Sequence, residues 1–276
     1  MNTNKKIIIG AISAAVVIGG VAIGFILSQT PEAADLSTIH TQAATEAPKE
    51  TLAESTAPET TKANEETPDD AATASSVIAD LETYTSGNIS IQYPVVSKMD
   101  DEAKQQKVND LLKSNALSVI KANDINEAED SLTVKCKVIS VDRRRLTAVY
   151  TGDLTVSGAA YPLRLFYSNT LNLQQVQNMG LEDFADAYTM AGYVLSNDVT
   201  FSGISAQEEA AVLEYRSTLD IDTLTAVFDS ADFPLASEAE WPQSFSYEKQ
   251  GTIYFSMPVP HSLGDYVIVS FDPSTK

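Results

Sequence analysis

An uncharged run near the amino terminus constrains this chain more than any other feature. Lys5 and Lys6 precede twenty-one residues without a charge, from Ile7 to Leu27. A bilayer core of about 30 Å is crossed by about 20 apolar residues in a helix. Because positive charge beside a span favours the cytoplasmic side, we predict a cytoplasmic tip at residues 1–6 and a transmembrane anchor at residues 7–27. The rest of the chain is then expected outside the cell membrane, as in a single-pass membrane protein.

A cleaved signal peptide is the alternative, because it has the same polarity. Its apolar stretch is usually about 7–15 residues long and ends at a cleavage site of small residues. The run in this chain is longer, and the residues from Ser28 to Pro31 make a poor cleavage site. Gly20 and Gly24 form a Gly-x-x-x-Gly pattern, which predicts a homodimer mediated by the anchor as a weaker hypothesis.

Residues 28–76 show no hydrophobic periodicity. This stretch is rich in Thr, Ala, Glu and Pro, and Lys49 and Lys62 are the two basic residues among its many acidic ones. Such a segment buries too little apolar surface to offset the entropy of ordering its backbone. We therefore predict a disordered, extended acidic stalk that holds a domain away from the membrane.

The charge of the chain restricts its partners. Thirty-eight acids against eighteen bases give a net charge of -20. This charge argues against a nucleic acid, whose phosphates need basic residues, and it favours a cationic protein as a partner. The acidity is also explained if it serves only solubility. Cys136 is the single cysteine, so no disulfide can form within the chain, and its place in an alternating strand predicts a buried thiol.

Residues 77–276 are predicted to form one globular domain. Alternation of apolar and polar residues predicts strands at 88–96, 131–141, 146–156, 161–169, 171–173, 244–248, 252–257 and 266–271. Helical spacing predicts four helices, with N-caps at Asp100 or Asp101, at Ser205 in a capping box with Glu208, and at Asp222. Because strands, helices and strands follow in blocks, we predict an α+β fold, an antiparallel sheet with helices packed on one face.

Few residues in the domain are suited to catalysis. His261 is its single histidine, because His40 lies in the stalk, and no Gly-x-Ser-x-Gly motif is present. We therefore expect no metal site and no cofactor. A cell-wall glycan hydrolase that uses paired carboxylates is the main enzymatic alternative, and its candidate pairs are Asp183 with Asp186, Glu208 with Glu209, and Asp220 with Asp222.

The most unusual local segment runs from Met257 to Asp265. Pro258 and Pro260 stiffen the backbone, Gly264 permits a left-handed turn, and His261 and Asp265 supply polar groups. A rigid loop loses little entropy on binding, so these residues are candidate ligand contacts. A purely structural connection between two strands is the alternative interpretation.

Three further segments occur in the order seen in a known extracytoplasmic module. They are residues Ser157 to Pro162, Thr170 to Leu173 leading to Leu181-Glu182-Asp183-Phe184, and Gly251 to Phe255 followed by Pro258 to Gly264. From about Asn88 to Asp272 the chain resembles the module of unassigned function that Gram-positive envelope proteins share. That module is similar to the ectodomain of the membrane-bound anti-sigma factor that senses lysozyme, and it accompanies some peptidoglycan deacetylases.

The resemblance implies a binding module whose contacts include Pro258, Pro260 and His261. Val176 departs from it, because the family usually has a glycine in this turn. With six residues before the span, we also expect no cytoplasmic anti-sigma segment. We therefore predict a binding or sensing domain, not an enzyme, that recognises a cationic protein such as lysozyme or cell-wall material. A glycan hydrolase or a structural envelope scaffold is the alternative.

Overall fold

The computed structural model describes residues 76–233 and 241–275. The predicted cytoplasmic tip and anchor, and the predicted stalk apart from its last residue, lie outside these ranges. Within the two described ranges, no helix is both long enough and apolar enough to cross a bilayer.

Ten strands and four helices make up the described domain. The strands are β1 Ile78–Ser86, β2 Ile89–Ser97, β3 Ser131–Val141, β4 Arg145–Thr155, β5 Leu163–Asn172, β6 Gln177–Met179, β7 Thr200–Ser202, β8 Ser246–Lys249, β9 Thr252–Pro258 and β10 Tyr266–Phe271. The helices are α1 Glu102–Ala122, α2 Ala187–Leu195, α3 Ala206–Arg216 and α4 Ile221–Asp229.

The strands form two sheets. Sheet 1 contains β1 to β6 in chain order, and sheet 2 has the order β7-β10-β9-β8. All pairs are antiparallel except β2 and β3, which run parallel because α1 carries the chain back across the sheet between them. The α+β prediction is confirmed, but the prediction of one antiparallel sheet is wrong in the number of sheets and in this parallel pair.

Helix α1 covers sheet 1. The Asp101 carboxylate caps it by accepting a hydrogen bond from the Lys104 amide at 2.9 Å. Its buried face includes Val108, Leu112 and Val119, at the helical spacing of the sequence, and it packs on β2. Cys136 is buried in the same core, as its strand position predicts.

Sheet 2 shares a second core with α2, α3 and α4. Ser205 begins α3 in the predicted capping box: its hydroxyl accepts from the Glu208 amide, and the Glu208 carboxylate accepts from the Ser205 amide at 2.7 Å. The predicted cap of α4 is wrong by two positions. Asp220 has extended backbone geometry and its carboxylate accepts from the Thr223 amide at 2.9 Å, whereas Asp222 lies in the first turn.

A buried aspartate connects sheet 2 with the segment that follows β6. The Asp232 carboxylate accepts hydrogen bonds from the Leu181 amide at 2.9 Å, the Ser246 amide at 2.6 Å and the Ser246 hydroxyl at 2.5 Å. Burial raises the pKa of Asp232 to about 7, and the hydrogen bonds from Ser246 and Leu181 oppose that rise. The Ser168 hydroxyl of sheet 1 donates to the Ser246 carbonyl at 2.6 Å, so Ser246 also joins the two sheets.

Candidate functional site

The segment between β9 and β10 is a short, closely hydrogen-bonded loop. Residues His261–Leu263 form one 3-10 turn, which Pro260 precedes. Gly264 ends the turn with φ 95°, a left-handed conformation that favours glycine. The Val259 amide donates to the Asp265 carbonyl at 3.1 Å and closes the base of the loop. The loop is therefore rigid because of its turn and its hydrogen bonds as well as its prolines.

Asp265 fixes the imidazole of His261 and ties the loop to sheet 1. One carboxylate oxygen lies 2.8 Å from Nδ1 of His261, and the other accepts from the Arg164 amide at 2.8 Å. The side chain of Asp265 is 16% exposed, whereas that of His261 is 47% exposed. The imidazole is thus oriented from one side and open to solvent on the other.

Arg164 packs against the same loop. Its guanidinium carbon lies 5.4 Å from the ring centroid of Tyr266, a cation–π distance. A Cβ atom at Gly264 would lie 2.8 Å from Nη1 of Arg164, so the guanidinium would have to shift, and the φ of 95° disfavours any other residue. Gly264 therefore permits the left-handed path of the loop and lets the Arg164 guanidinium approach it closely.

These groups border an open cleft of about 790 Å³. Its walls come from β5, the end of β7, the start of α3, the β9–β10 loop and β10. The side chains with polar groups that line it are Arg164, Ser202, Ser205, Gln207, Glu208, His261, Ser262 and Tyr266. Ile204, Val212 and Leu263 supply apolar surface. The volume lies in the range of small-ligand sites, but the lining is more polar than is usual for them.

Exposed apolar side chains lie in and beside the β4–β5 connection, which places Tyr161 next to His261. In the described ranges, five large hydrophobic residues are exposed, and three of them lie in or beside the β4–β5 connection: Val156, Tyr161 and Leu163. Tyr161 is 72% exposed, and its ring centroid lies 6.2 Å from that of His261. Such a ring contributes little to the core and is available for contact with another molecule.

The four residues predicted as ligand contacts have different positions. His261 lines the cleft, and Asp265 orients it without being one of the lining residues. Pro258 is the last residue of β9, where it pairs with Tyr266, and Pro260 is exposed at the start of the 3-10 turn. The structure thus brings His261 and Asp265 together, while the two prolines shape the loop.

Sequence reasoning missed Arg164, Tyr161 and the serines of the cleft as site residues. Arg164 lies within an apolar strand, and its contact with the loop spans 101 residues of sequence, so no local pattern reveals it. The sequence identifies Ser205 as a helix cap, and Glu208 as its capping partner and as a candidate catalytic carboxylate, but neither role indicates that both residues line one cleft with His261.

The carboxylates proposed for catalysis mostly serve as helix caps. Asp183 accepts from the Gly180 amide, and Asp186 and Asp220 cap α2 and α4. Glu208 is the one carboxylate among the described cleft-lining residues. Hydrogen bonds from Ser205, and the nearby Arg164, lower the pKa of Glu208, which is unfavourable for a general acid. Across residues 76–233 and 241–275, no three His, Cys, Asp or Glu side chains gather closely enough to hold a metal ion.

Comparison with known proteins found similarity in structure alone. No protein-family model matches the sequence, and no curated protein matches it. Structural neighbours include bacterial proteins of the DUF3298 family. A member from Bacteroides fragilis has a TM-score of 0.37 and 10% identity, with 72% of this chain and 90% of that chain covered. Another from Pseudomonas aeruginosa has a TM-score of 0.35 and 13% identity, with 72% and 89% covered. The name DUF3298 denotes a domain of unknown function, so these likenesses assign no activity to the chain.

Proposed function

We propose that residues 77–276 form an extracytoplasmic binding module of the cell envelope. Residues 7–27 would anchor it in the cell membrane by a single pass, and residues 28–76 would hold it away from the surface. The module would recognise a cationic protein such as lysozyme, or cell-wall material, by reversible and non-covalent contacts.

The observation that carries this proposal is the cleft beside the His261 loop. It combines a preformed cavity of about 790 Å³, an imidazole oriented by Asp265, and an exposed tyrosine, Tyr161. Preformed sites of this kind lose little entropy when a ligand binds. The loop that the sequence resemblance points to is one wall of the same cleft.

Charge and resemblance support the choice of partner. A chain with a net charge of -20 attracts a basic protein over several ångströms, an effect that salt screens. The segments that resemble the lysozyme-sensing ectodomain include the β9–β10 loop, which contains His261.

The arrangement of carboxylates favours binding over hydrolysis. Glycosidases need two carboxyl groups on opposite sides of the bond, one of them with a raised pKa. In the described part of the cleft, Glu208 stands alone and has a lowered pKa. The module would therefore hold its ligand without cleaving it.

Titration calorimetry of residues 77–276 with lysozyme tests the proposal. We expect binding at low salt that weakens as salt rises, and a roughly tenfold loss of affinity in His261→Ala, which corresponds to about 1.4 kcal/mol. Pro258→Ala should weaken binding as well, because a less rigid loop loses more entropy. Pro273→Ala, which changes an exposed proline near the carboxyl terminus, is the matched control and should bind normally.

Binding measurements with lysozyme and with purified cell wall distinguish the two candidate ligands. No heat with lysozyme at low salt, together with binding to purified cell wall, would leave cell-wall material as the ligand. Absence of binding to both would refute the proposed function. Equal affinity in His261→Ala and the unaltered domain would place the contact away from this cleft.

A further inference from the structure

We propose that the cleft binds a short stretch of uncharged polysaccharide, with one sugar ring packed on Tyr161 and the neighbouring units hydrogen-bonded inside the cleft. This inference rests on the proposed function, because it uses the same cleft and names the class of ligand for it. The inference goes beyond the proposed function because it names a glycan as the ligand and assigns Tyr161 and Arg164 as residues that contact it.

The polar lining of the cleft matches the chemistry of sugar hydroxyls. Ser202, Ser205 and Ser262 offer hydroxyl groups, and Gln207 offers both a carbonyl and an amino group. A sugar hydroxyl donates one hydrogen bond and accepts others, so it is best satisfied by side chains that can do both. Arg164, an exposed residue that lines the cleft, adds several N–H donors in a planar group.

Tyr161 provides an aromatic surface beside these polar groups. Tyr161 is 72% exposed, and its ring lies next to the ring of His261. The C–H face of a sugar ring is apolar and packs on the face of an aromatic ring, while its hydroxyls point outward to polar partners. The connection that holds Tyr161 begins with a turn, in which the Ala159 amide donates to the Val156 carbonyl at 2.9 Å.

The charges around the cleft favour an uncharged ligand. Arg164 is the one permanently cationic side chain among the described lining residues, and it would repel a basic group that entered the cleft, although not a cationic protein whose basic groups stay on the acidic surface outside it. Glu208 and Asp265 adjoin it, and the whole chain has a net charge of -20, so an acidic polymer would be repelled as well. An uncharged glycan meets neither penalty, and it still gains from the hydrogen-bonding groups.

The test uses the full-length protein in a detergent without a sugar headgroup, titrated by calorimetry with the tetramer of N-acetylglucosamine. We expect saturable binding that changes less than twofold between low and moderate salt, because the ligand is uncharged. Tyr161→Ala should weaken it at least tenfold, and Arg164→Gln should weaken it several-fold. Tyr188→Ala is the matched control: Tyr188 is another exposed tyrosine, 59% exposed on α2, that does not line the cleft, and its loss should change nothing.

A parallel titration with lysozyme separates this inference from the proposed function. If lysozyme binds and the tetramer does not, the glycan inference is overturned and the proposed function stands. If neither binds, the glycan inference is overturned, and the proposed function is overturned as well only when purified cell wall also fails to bind. If the tetramer binds equally well to Tyr161→Ala, Arg164→Gln and the unaltered protein, the site is elsewhere and the inference is overturned.

Discussion

Replacing Asp232 by asparagine should change both the folding free energy and its dependence on pH. An aspartate in the unfolded chain has a pKa of 3.8, and burial raises that of Asp232 to about 7 in the folded protein. The folded state therefore keeps a proton over a pH range in which the unfolded chain has lost it. The protonated carboxyl of Asp232 therefore makes its full contribution to the folding free energy below about pH 4, and this contribution is lost as the pH rises through about 7.

The magnitude follows from the pKa and from the hydrogen bonds. At 1.36 kcal/mol for each pKa unit, the loss between pH 4 and pH 7 amounts to about 4 kcal/mol. Asparagine does not titrate, but its amino group cannot accept a hydrogen bond. Whichever way the amide is turned, either the Leu181 amide or the Ser246 amide loses its acceptor, at a cost of about 1–3 kcal/mol.

Together, the two effects predict that the unfolding free energies of Asp232→Asn and of the unaltered domain cross as the pH rises. Asp232→Asn should be less stable than the unaltered domain at pH 4 by about 1–3 kcal/mol, and at least as stable above pH 7. Urea denaturation of residues 77–276 at several pH values measures this, with the fluorescence of Trp241 as the probe. Trp241 is the single tryptophan, and its ring packs against Tyr167, 5.5 Å between centroids.

Asp229→Asn is the matched control, because it removes the same charge from an exposed position at the end of α4. Its stability relative to the unaltered domain should not change sign between pH 4 and pH 8. The reasoning would be refuted if the difference in unfolding free energy between Asp232→Asn and the unaltered domain stayed constant from pH 4 to pH 8. The buried carboxyl would then not titrate in this range.

Three further predictions concern backbone conformation and capping. Val176 has φ 55° and packs, partly buried, against the core of sheet 1, so Val176→Gly should change the unfolding free energy by less than about 1 kcal/mol in urea denaturation, because relief of left-handed strain offsets the lost packing and the added chain entropy. A loss of more than about 2 kcal/mol would contradict this. Gly264→Ala should lower the melting temperature and weaken lysozyme binding in calorimetry, because φ is 95° and the new Cβ would lie 2.8 Å from the Arg164 guanidinium. Unchanged binding would show that this loop is not part of the binding site. Ser205→Ala should cost about 1 kcal/mol in thermal unfolding through loss of the α3 cap, with Ser205→Asp as the variant that retains stability.

Local patterns predicted the individual elements well. The bounds predicted for β3 are those observed, and the apolar spacing from Val108 to Val119 gave the buried face of α1. Strand β1 escaped prediction because its middle residues, from Asp80 to Thr83, are all exposed and show no alternation. The caps of α1 and α3 were also predicted, since capping depends on residues within one turn.

The arrangement of the elements could not be predicted in the same way. The two sheets meet through contacts such as Ser168 with Ser246, which are 78 residues apart in the sequence. The site shows the same limit: His261 and Asp265 stand four residues apart and were both singled out, whereas Arg164 reaches the loop from another sheet. The departure at Val176 is informative, because a left-handed position is where a glycine would be expected.

Amide chemical shifts in the NMR spectrum of residues 77–276 test the central claim, that the cleft beside His261 holds an envelope ligand. On addition of lysozyme or the N-acetylglucosamine tetramer, the amides of Gly203, His261 and Gly264 should shift, because these residues line the cleft. The amides of Gly87 and Gly251, in the β1–β2 and β8–β9 turns, should stay in place. Shifts at Gly87 and Gly251 with none at Gly203 and Gly264, under saturating ligand, would contradict the account.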